Sequence, residues 1–141
     1  HMLLLKYLLY TWYNSALDYG YSIMRSCIAR SVVSHGLIAS LGIFHHNELN
    51  NFNLVDDLIE CYRPFVDFYV LRTVCLRHTG EEFDENLSKE DRVLLTQVIN
   101  ENVRIRNLSY SIKHSIDIMV ESFIAAFRNE DIGLFELPEF C

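Results

Sequence analysis

Apolar residues recur at helical spacing along most of this chain, most clearly over residues 53–63. There they stand one, three and four positions apart, which places them on one face of a helix. These apolar residues are Leu54, Val55, Leu58, Ile59 and Tyr62. The opposite face carries Asp56, Asp57, Glu60 and Arg63. We predict a helix that begins near Leu54, with Asn53 as its cap and Asp56 three residues after that cap.

The same periodicity predicts further helices over residues 3–12, 14–36, 65–78, from 88 onward, and 116–127. Asn14 is a candidate cap, and Gly36 a candidate terminus because glycine adopts the left-handed conformation most easily. Ser88 is followed three residues later by Asp91, which is a second capping signature. The first apolar segment is expected to pack on the core. The alternative is that another domain covers it.

The segments between the helices are shorter. A short helical piece is predicted over residues 37–41, and Gly80 is predicted to end a helix. The acidic run 81–85 is predicted to be a solvated loop. Near residues 103–112 apolar and polar residues alternate instead, which favours a two-stranded ribbon turning at 107–108, with an irregular helix break as the alternative. The apolar tail from residue 133 is expected to dock on a groove. The fold class predicted is all-α: a compact domain of about six helices, with one small β-ribbon.

Composition and charge limit the classes of function. The chain has 141 residues, enough for one domain with a real core, and a net charge of −7, which argues against non-specific wrapping of nucleic acid. Any DNA contact would have to be local. The four cysteines show no zinc-finger spacing. The apolar start is interrupted by Lys6, is too short to span a bilayer, and lacks the features of a signal peptide, so we expect a cytoplasmic protein without membrane contact.

Candidate chemistry gathers around the predicted helix at 53–63. Asp57 and Glu60 lie one turn apart, and the polar loop before the helix could bring His45 or His46 back over that turn. Imidazole with carboxylates favours a divalent ion such as Mg²⁺ or Mn²⁺ over zinc, which usually takes three or four nitrogen and sulfur ligands. A solvated acidic face is the simpler alternative. His45 follows an apolar run and is the histidine more strongly expected to be held by packing.

Two motifs in this region resemble a known family. The segment GIFHHNELNNFNLVDDLIECYRPFVD (residues 42–67) resembles the metal-site segment of the CRISPR-associated integrase family, CRISPR-associated protein one, and its type II branch in particular. Upstream, NSALDYGY (residues 14–21) resembles the start of that family's Asn-Ala-Leu-Asn-Tyr-Gly-Tyr helix, with Asp18 where Asn is more usual. The resemblance covers residues 11–78 well.

By this resemblance the chain is a catalytic domain of a metal-dependent DNA endonuclease and integrase that inserts new spacers into a CRISPR array. His45 and Glu60 match the family's metal ligands, and Asp57 matches an acidic position that assists or orients the site. Mg²⁺ or Mn²⁺ is the implied cofactor. Arg25, Arg30 and Arg63 are the implied DNA contacts. The implied partners are double-stranded and branched DNA, a small adaptation subunit, and a second copy of the intact protein in a homodimer.

One departure from the family pattern stands out. The family uses a further metal-binding glutamate upstream of residue 14, whereas the first glutamate of this chain is Glu48. The family's β-rich N-terminal domain also has no counterpart here. We therefore expect residues 3–141 to be a helical catalytic domain, preceded by a cloning remnant at residues 1–2, that binds metal weakly and is nearly inactive alone.

Other classes of function remain open at this point. A non-catalytic helical interaction or DNA-binding module would use the same histidines and acids structurally. A helical metal phosphohydrolase would need an adjacent His-Asp pair, which the sequence lacks. A His-Asn nuclease would need a ββα finger around His45, which the helical pattern does not favour.

Overall fold

The structure is a computed structural model that describes residues 2–77, 84 and 86–141. These residues form five α-helices and a small antiparallel sheet. The helices are α1 (Met2–Ser34), α2 (Asn53–Ile59), α3 (Arg63–Arg77), α4 (Lys89–Thr96) and α5 (Ile112–Asn129). The strands are β1 (Asn102–Ile105), β2 (Leu108–Ser111) and β3 (Glu139–Phe140), and short 3₁₀ turns cover Gln97–Asn100 and Ile132–Leu134. The predicted mainly helical class is confirmed.

Helix α1 is the element against which the other helices pack. Every fourth residue of one stripe is buried, so a single ridge runs along much of the helix. The ridge consists of Trp12, Ala16, Gly20, Met24, Ile28 and Val32. It contacts α2, α3, α4 and α5, which together close the hydrophobic core around it. The position of α2, and therefore of the predicted site, is set by this packing.

The two helices predicted before residue 36 are one continuous helix. Asn14 lies inside α1 and is not a cap, because neither glycine nor proline interrupts the chain near it and Trp12 and Ala16 are buried on the same ridge. The predicted terminus is confirmed. Gly36 has φ +78°, its N–H donates to the Val33 carbonyl (3.0 Å), and the Leu37 N–H donates to the Val32 carbonyl (3.0 Å).

The first turns of α1 were predicted to pack on the core, and in the structure they do not. The apolar side chains of Leu3, Leu4 and Leu5 are exposed, and the core begins at Trp12. The Trp12 indole N–H donates to the Asp91 carboxylate (3.1 Å), which also completes the capping box of α4 with Ser88. That capping box was predicted and is confirmed. Among the described residues, no helix combines the length and the apolar character needed to cross a bilayer.

Residues 37–41 form turns and not the predicted helical piece, since glycines flank the segment at both ends. The Ala39 carbonyl instead accepts a hydrogen bond from the Leu54 N–H (2.8 Å), which ties the segment to the start of α2. The predictions for Gly80 and for most of the acidic run 81–85 lie outside the described residues, as does the end of the third predicted helix at residue 78.

The predicted ribbon is present and larger than expected. β1 and β2 pair antiparallel, and the turn lies at Arg106 and Asn107, both with positive φ (49° and 64°), one residue before the predicted position. The tail adds β3 to the other edge of β1, giving the strand order β2-β1-β3. Its Phe140 ring lies 4.4 Å from the Phe65 ring, centroid to centroid.

Gly20 marks the closest approach of α1 and α3. A Cβ at this position would lie 2.8 Å from Cγ1 of Val66, a stiff, fully buried side chain. We expect Gly20→Ala to lower the free energy of unfolding by about 1 kcal/mol, because overpacking of about 1–3 kcal/mol exceeds the helix-propensity gain of about 1 kcal/mol. In a Val66→Ala background the same substitution should stabilise the protein by about 1 kcal/mol. Urea unfolding measures both effects.

Val70→Ala provides the matched background. Cγ2 of Val70 would lie 3.8 Å from a Cβ at residue 20, which is an ordinary contact. Removing Cγ2 should therefore leave Gly20→Ala destabilising. Equal effects of Gly20→Ala in all three backgrounds would show that Val66 does not set the approach of the two helices.

Candidate metal centre

The loop before α2 is held by the side chain of Asn53. This residue is buried, its amide N–H groups donate to the carbonyls of Ser40 (3.0 Å) and Asn47 (2.9 Å), and its Oδ1 accepts from the Asn47 N–H (3.3 Å). The prediction that Asn53 caps α2 is therefore wrong. Phe52 occupies the cap position, without a side-chain cap bond. Asn53 serves the loop because its amide can donate and accept at the same time.

Gly42 lets the same loop fold back tightly. A Cβ at residue 42 would lie 2.2 Å from the backbone oxygen of His45 and 2.8 Å from Cβ of Asn53. Only glycine fits this approach without displacement of the backbone. The turn carries His45 over the start of α2.

The Asp57 carboxylate receives this loop. Its Oδ2 accepts from the backbone N–H groups of Ile43 (2.5 Å) and Phe44 (3.0 Å), and its Oδ1 accepts from the backbone N–H of His45 (3.1 Å). The Asp57 side chain is only 5% exposed. Three converging N–H groups make a nest for an anion, and the buried carboxylate occupies it.

The same carboxylate orients the His45 ring. His45 Nδ1 lies 2.5 Å from Asp57 Oδ1. Because an ionised carboxylate can only accept, Nδ1 carries the proton, and the neutral ring keeps its lone pair on Nε2. The ring is 47% exposed, so it is fixed at one edge while remaining accessible. A histidine held in this way by a carboxylate is a typical arrangement for a metal ligand.

The charge state of Asp57 follows from its surroundings. Burial by itself raises the pKa of the Asp57 carboxyl, but the hydrogen bonds from the His45 ring and from the loop N–H groups outweigh burial. The net effect holds this pKa below its usual value. Asp57 is therefore ionised at neutral pH, as its role as a fourfold acceptor requires.

Asp56 and Arg25 form a second contact between α1 and α2. Arg25 Nε donates to Asp56 Oδ1 (2.7 Å) and its Nη2 to Oδ2 (3.0 Å), while the Asn50 amide also donates to Oδ2 (2.7 Å). Burial raises the pKa of Asp56, and the bonds from Arg25 and Asn50 bring it below its usual value. Arg25, predicted to contact DNA, thus lies in a two-pronged ion pair with α2.

Glu60 lies at the other end of α2, where it occupies the C-cap position. Its Oε1 accepts from Arg63 Nε (2.8 Å), and the Glu60 side chain is 56% exposed. Arg30, the third residue predicted to contact DNA, lines a shallow cavity of about 240 Å³ with Lys113. The structure thus brings His45 and Asp57 into contact, whereas the partner of Glu60 is Arg63.

The described residues do not form a complete metal site. Nowhere in residues 2–77, 84 and 86–141 do three or more His, Cys, Asp or Glu side chains converge as a set that could hold a metal ion. The chemistry of the donors nevertheless fits a hard divalent ion, since a neutral imidazole with an available Nε2 and an exposed carboxylate lie on the loop and helix predicted to carry them.

Comparison with known proteins assigns the chain to a family. The family model described as "CRISPR associated protein Cas1" matches residues 12–104, about two-thirds of the chain. The chain belongs to the Cas1 family. Its matched region contains all of α2, the loop that Asn53 and Asp57 hold, and Glu60.

Curated Cas1 relatives agree with this assignment. The chain is 32% identical over 126 residues, 89% of its length, to the CRISPR-associated endonuclease Cas1 of Neisseria meningitidis serogroup C. It is 31% identical over 96 residues to CRISPR-associated endonuclease Cas1 2 of Saccharolobus solfataricus, and 36% identical over 85 residues to CRISPR-associated endonuclease Cas1 1 of Pyrobaculum aerophilum. These alignments cover 65% and 60% of the chain. The chain spans 40%, 31% and 27% of the three relatives.

Sequence reasoning missed two features of this Cas1 domain. The role of Asn53 was missed because an Asx side chain before a helix signals a cap and a loop anchor equally. The pairing of Arg25 with Asp56 joins residues 31 positions apart and has no local signature. One signal was available: Asn50, Asn53 and Asp56 recur at three-residue spacing where the loop enters α2.

Asp57→Asn tests whether this carboxylate holds the loop. Hydrogen bonds to a charged acceptor contribute about 1.5–3 kcal/mol, so we expect a loss of about 2 kcal/mol in the free energy of unfolding at pH 7. The folded pKa of Asp57 lies below the unfolded value, so its stabilisation is present above the unfolded value of 3.8 and is lost as pH falls through the folded pKa. The difference between wild type and variant should therefore shrink on acidification below pH 4.

Asp18→Asn, which removes an exposed carboxylate from α1, is the matched control. Urea unfolding at pH 7 and pH 3 gives the stabilities. Amide exchange should show that Ile43, Phe44 and His45 lose protection only in Asp57→Asn. Unchanged protection of these three amides would refute the role given to Asp57.

Proposed function

We propose that this chain carries two metal ligands, His45 and Glu60, of a divalent-metal-dependent DNA endonuclease and integrase that inserts new spacers into a CRISPR array. The single observation that carries the proposal is the contact between His45 Nδ1 and the buried Asp57 carboxylate (2.5 Å). A carboxylate that fixes the tautomer of an accessible histidine is the arrangement typical of a metal ligand. The relatives are CRISPR-associated endonucleases, which supports the same class of reaction for this chain.

The cofactor proposed is Mg²⁺ or Mn²⁺. A nitrogen donor and a carboxylate suit these ions, and His45 and Glu60 would need at least one more ligand. The family resemblance places that ligand, a glutamate, upstream of residue 14, where this chain has no glutamate. For that reason the chain alone should bind the ion weakly and have little or no activity. When bound, such an ion would stabilise the negative charge that develops on the phosphate oxygens during cleavage or transfer of a phosphodiester.

Four residues of this chain have supporting roles around the two proposed ligands. Asp57 fixes the tautomer and direction of the His45 ring, so that the ring need not be ordered when its ligand arrives. Arg63 holds one oxygen of Glu60, which leaves the other for the ion. Asn53 and Gly42 maintain the loop that carries His45.

The partners proposed are double-stranded and branched DNA, a small adaptation subunit, and a second copy of the intact protein. With a net charge of −7, the DNA contacts must be local. Arg30, which lines a small cavity together with Lys113 and Asp117, is the first such candidate on this chain. Arg25 and Arg63 are engaged by Asp56 and Glu60, so their contribution to DNA binding would have to coexist with these ion pairs.

A non-catalytic interaction module is the second candidate function. An apolar groove of about 590 Å³ lies beside the His45 loop and is lined by Phe44, Phe127 and Ile132, which are largely exposed. Exposed apolar surface of this kind is typical of binding sites. In this alternative, His45 and Asp57 would only shape the edge of the groove.

Substitutions of the two proposed ligands separate these candidates. In the chain extended N-terminally to the length of its Neisseria relative, His45→Asn and Glu60→Gln should each lower Mn²⁺-dependent cleavage of branched DNA by at least 100-fold. Asp57→Asn should lower it by about 10–100-fold, the usual effect of losing a residue that orients a ligand. His46→Asn, the exposed neighbour, should retain activity and is the matched control.

The chain without the extension should show little activity with any metal. Full activity in His45→Asn would refute the ligand role of His45 and favour the interaction module. Full activity of the unextended chain would refute the proposed need for a further ligand.

A further inference from the structure

Four side chains connect the middle of α1 to the end of α2 and the start of α3. The Tyr21 hydroxyl donates to the Asp67 carboxylate. The Arg63 guanidinium lies over the Tyr21 ring, 4.9 Å from its centroid, and Arg63 Nε donates to Glu60 Oε1 (2.8 Å). Tyr21 thus contacts both Asp67 and Arg63, and Arg63 in turn binds Glu60, the proposed metal ligand.

Arg63 has a choice between two carboxylates. Asp67 lies four residues further along α3, the spacing at which helical ion pairs form, and Glu60 lies three residues before Arg63. The structure pairs Arg63 with Glu60. Burial alone would lower the pKa of Arg63, but Glu60, followed by Tyr21, raises it above its usual value.

Two contacts of Tyr21 bear on this choice. Burial and the Asp67 carboxylate raise the pKa of the Tyr21 hydroxyl to about 12, so the hydroxyl keeps its proton at neutral pH and remains a donor. Its bond engages Oδ1 of Asp67, and the ring supports the Arg63 guanidinium from one face. With Tyr21 bound to Oδ1 of Asp67, the Arg63 Nε–H donates to Glu60 Oε1.

We propose that Tyr21 is a positioning residue for Glu60: its hydroxyl competes with Arg63 for Asp67, its ring supports the Arg63 guanidinium, and together these contacts favour the pairing of Arg63 with Glu60. This inference rests on the proposed function insofar as Glu60 is a metal ligand. The choice of carboxylate by Arg63 does not depend on it.

The pairing matters because Glu60 is otherwise weakly restrained. More than half of its side chain is exposed, and an exposed glutamate samples several rotamers. The bond to Arg63 uses one oxygen only and so orders the carboxylate without blocking it. Groups that orient a ligand in this way typically change metal affinity by about 10–100-fold, and a residue one step further removed should have a smaller effect.

The first experiment detects the partner of Arg63 in the metal-free chain. Hydrogen exchange of the Arg63 Nε–H is measured by NMR in the wild type and in Tyr21→Phe, each combined with Glu60→Gln or Asp67→Asn. In the wild type, Glu60→Gln should accelerate exchange by about twofold to fivefold, the range typical of a half-exposed ion pair, and Asp67→Asn should not. In Tyr21→Phe, which keeps the ring and loses the hydroxyl, the dependence should pass to Asp67.

Tyr13→Phe, two turns earlier on α1, is the matched control and should behave as the wild type. If Tyr21→Phe leaves Arg63 dependent on Glu60, the proposal is overturned, whatever the activity of the protein.

The second experiment measures the consequence in the N-terminally extended protein. Tyr21→Phe should raise the Mn²⁺ concentration for half-maximal cleavage by about threefold to tenfold, and Tyr13→Phe should leave it unchanged. A change of partner without a change in Mn²⁺ requirement would overturn the positioning role. If His45→Asn and Glu60→Gln retain full activity, the proposed function fails, and the exchange result still decides which acid Arg63 selects.

Discussion

The geometry of the candidate site depends on the Asp57 carboxylate. It is nearly inaccessible to solvent, yet it is ionised, because three backbone N–H groups and the His45 ring donate to it. An uncompensated carboxylate covered by the loop in this way would cost free energy. The loop supplies the compensation, and the carboxylate in turn determines the conformation of the loop. Removal of either one leaves the other without its partner.

The helices make this arrangement possible by fixing α2. The buried ridge of α1 packs against α2, and Arg25 joins the two helices through Asp56. Asn53 then ties the loop to the first turn of α2. Asp57 lies on the next turn of α2, so the packing of α2 on the core determines where Asp57 lies relative to the loop. Adjacent acids on one short helix thereby serve different partners: Asp56 faces α1, and Asp57 faces the loop.

Local signals in the sequence were sufficient for much of the fold. Gly36 and Ser88 marked helix ends correctly, since the cap chemistry of each is complete within six residues. The assisting role expected for Asp57 came from family resemblance, and the structure supplies its contact with His45. Long-range contacts were not predictable. The pairing of β3 with β1 and the bond from Tyr21 to Asp67 join distant segments and have no local pattern. Asn14 was wrongly predicted to be a helix cap, because the capping tendency of Asn is overridden where the neighbouring turns of the helix are buried.

The decisive measurement is the tautomer of His45, determined by ¹⁵N NMR of the ring in the metal-free chain at a pH where the ring is neutral. Free histidine favours the proton on Nε2, whereas the bond to Asp57 requires it on Nδ1. We expect the Nδ1–H form in the wild type and its loss in Asp57→Asn. A wild-type ring with its proton mainly on Nε2 would contradict the claim that Asp57 prepares His45 as a ligand.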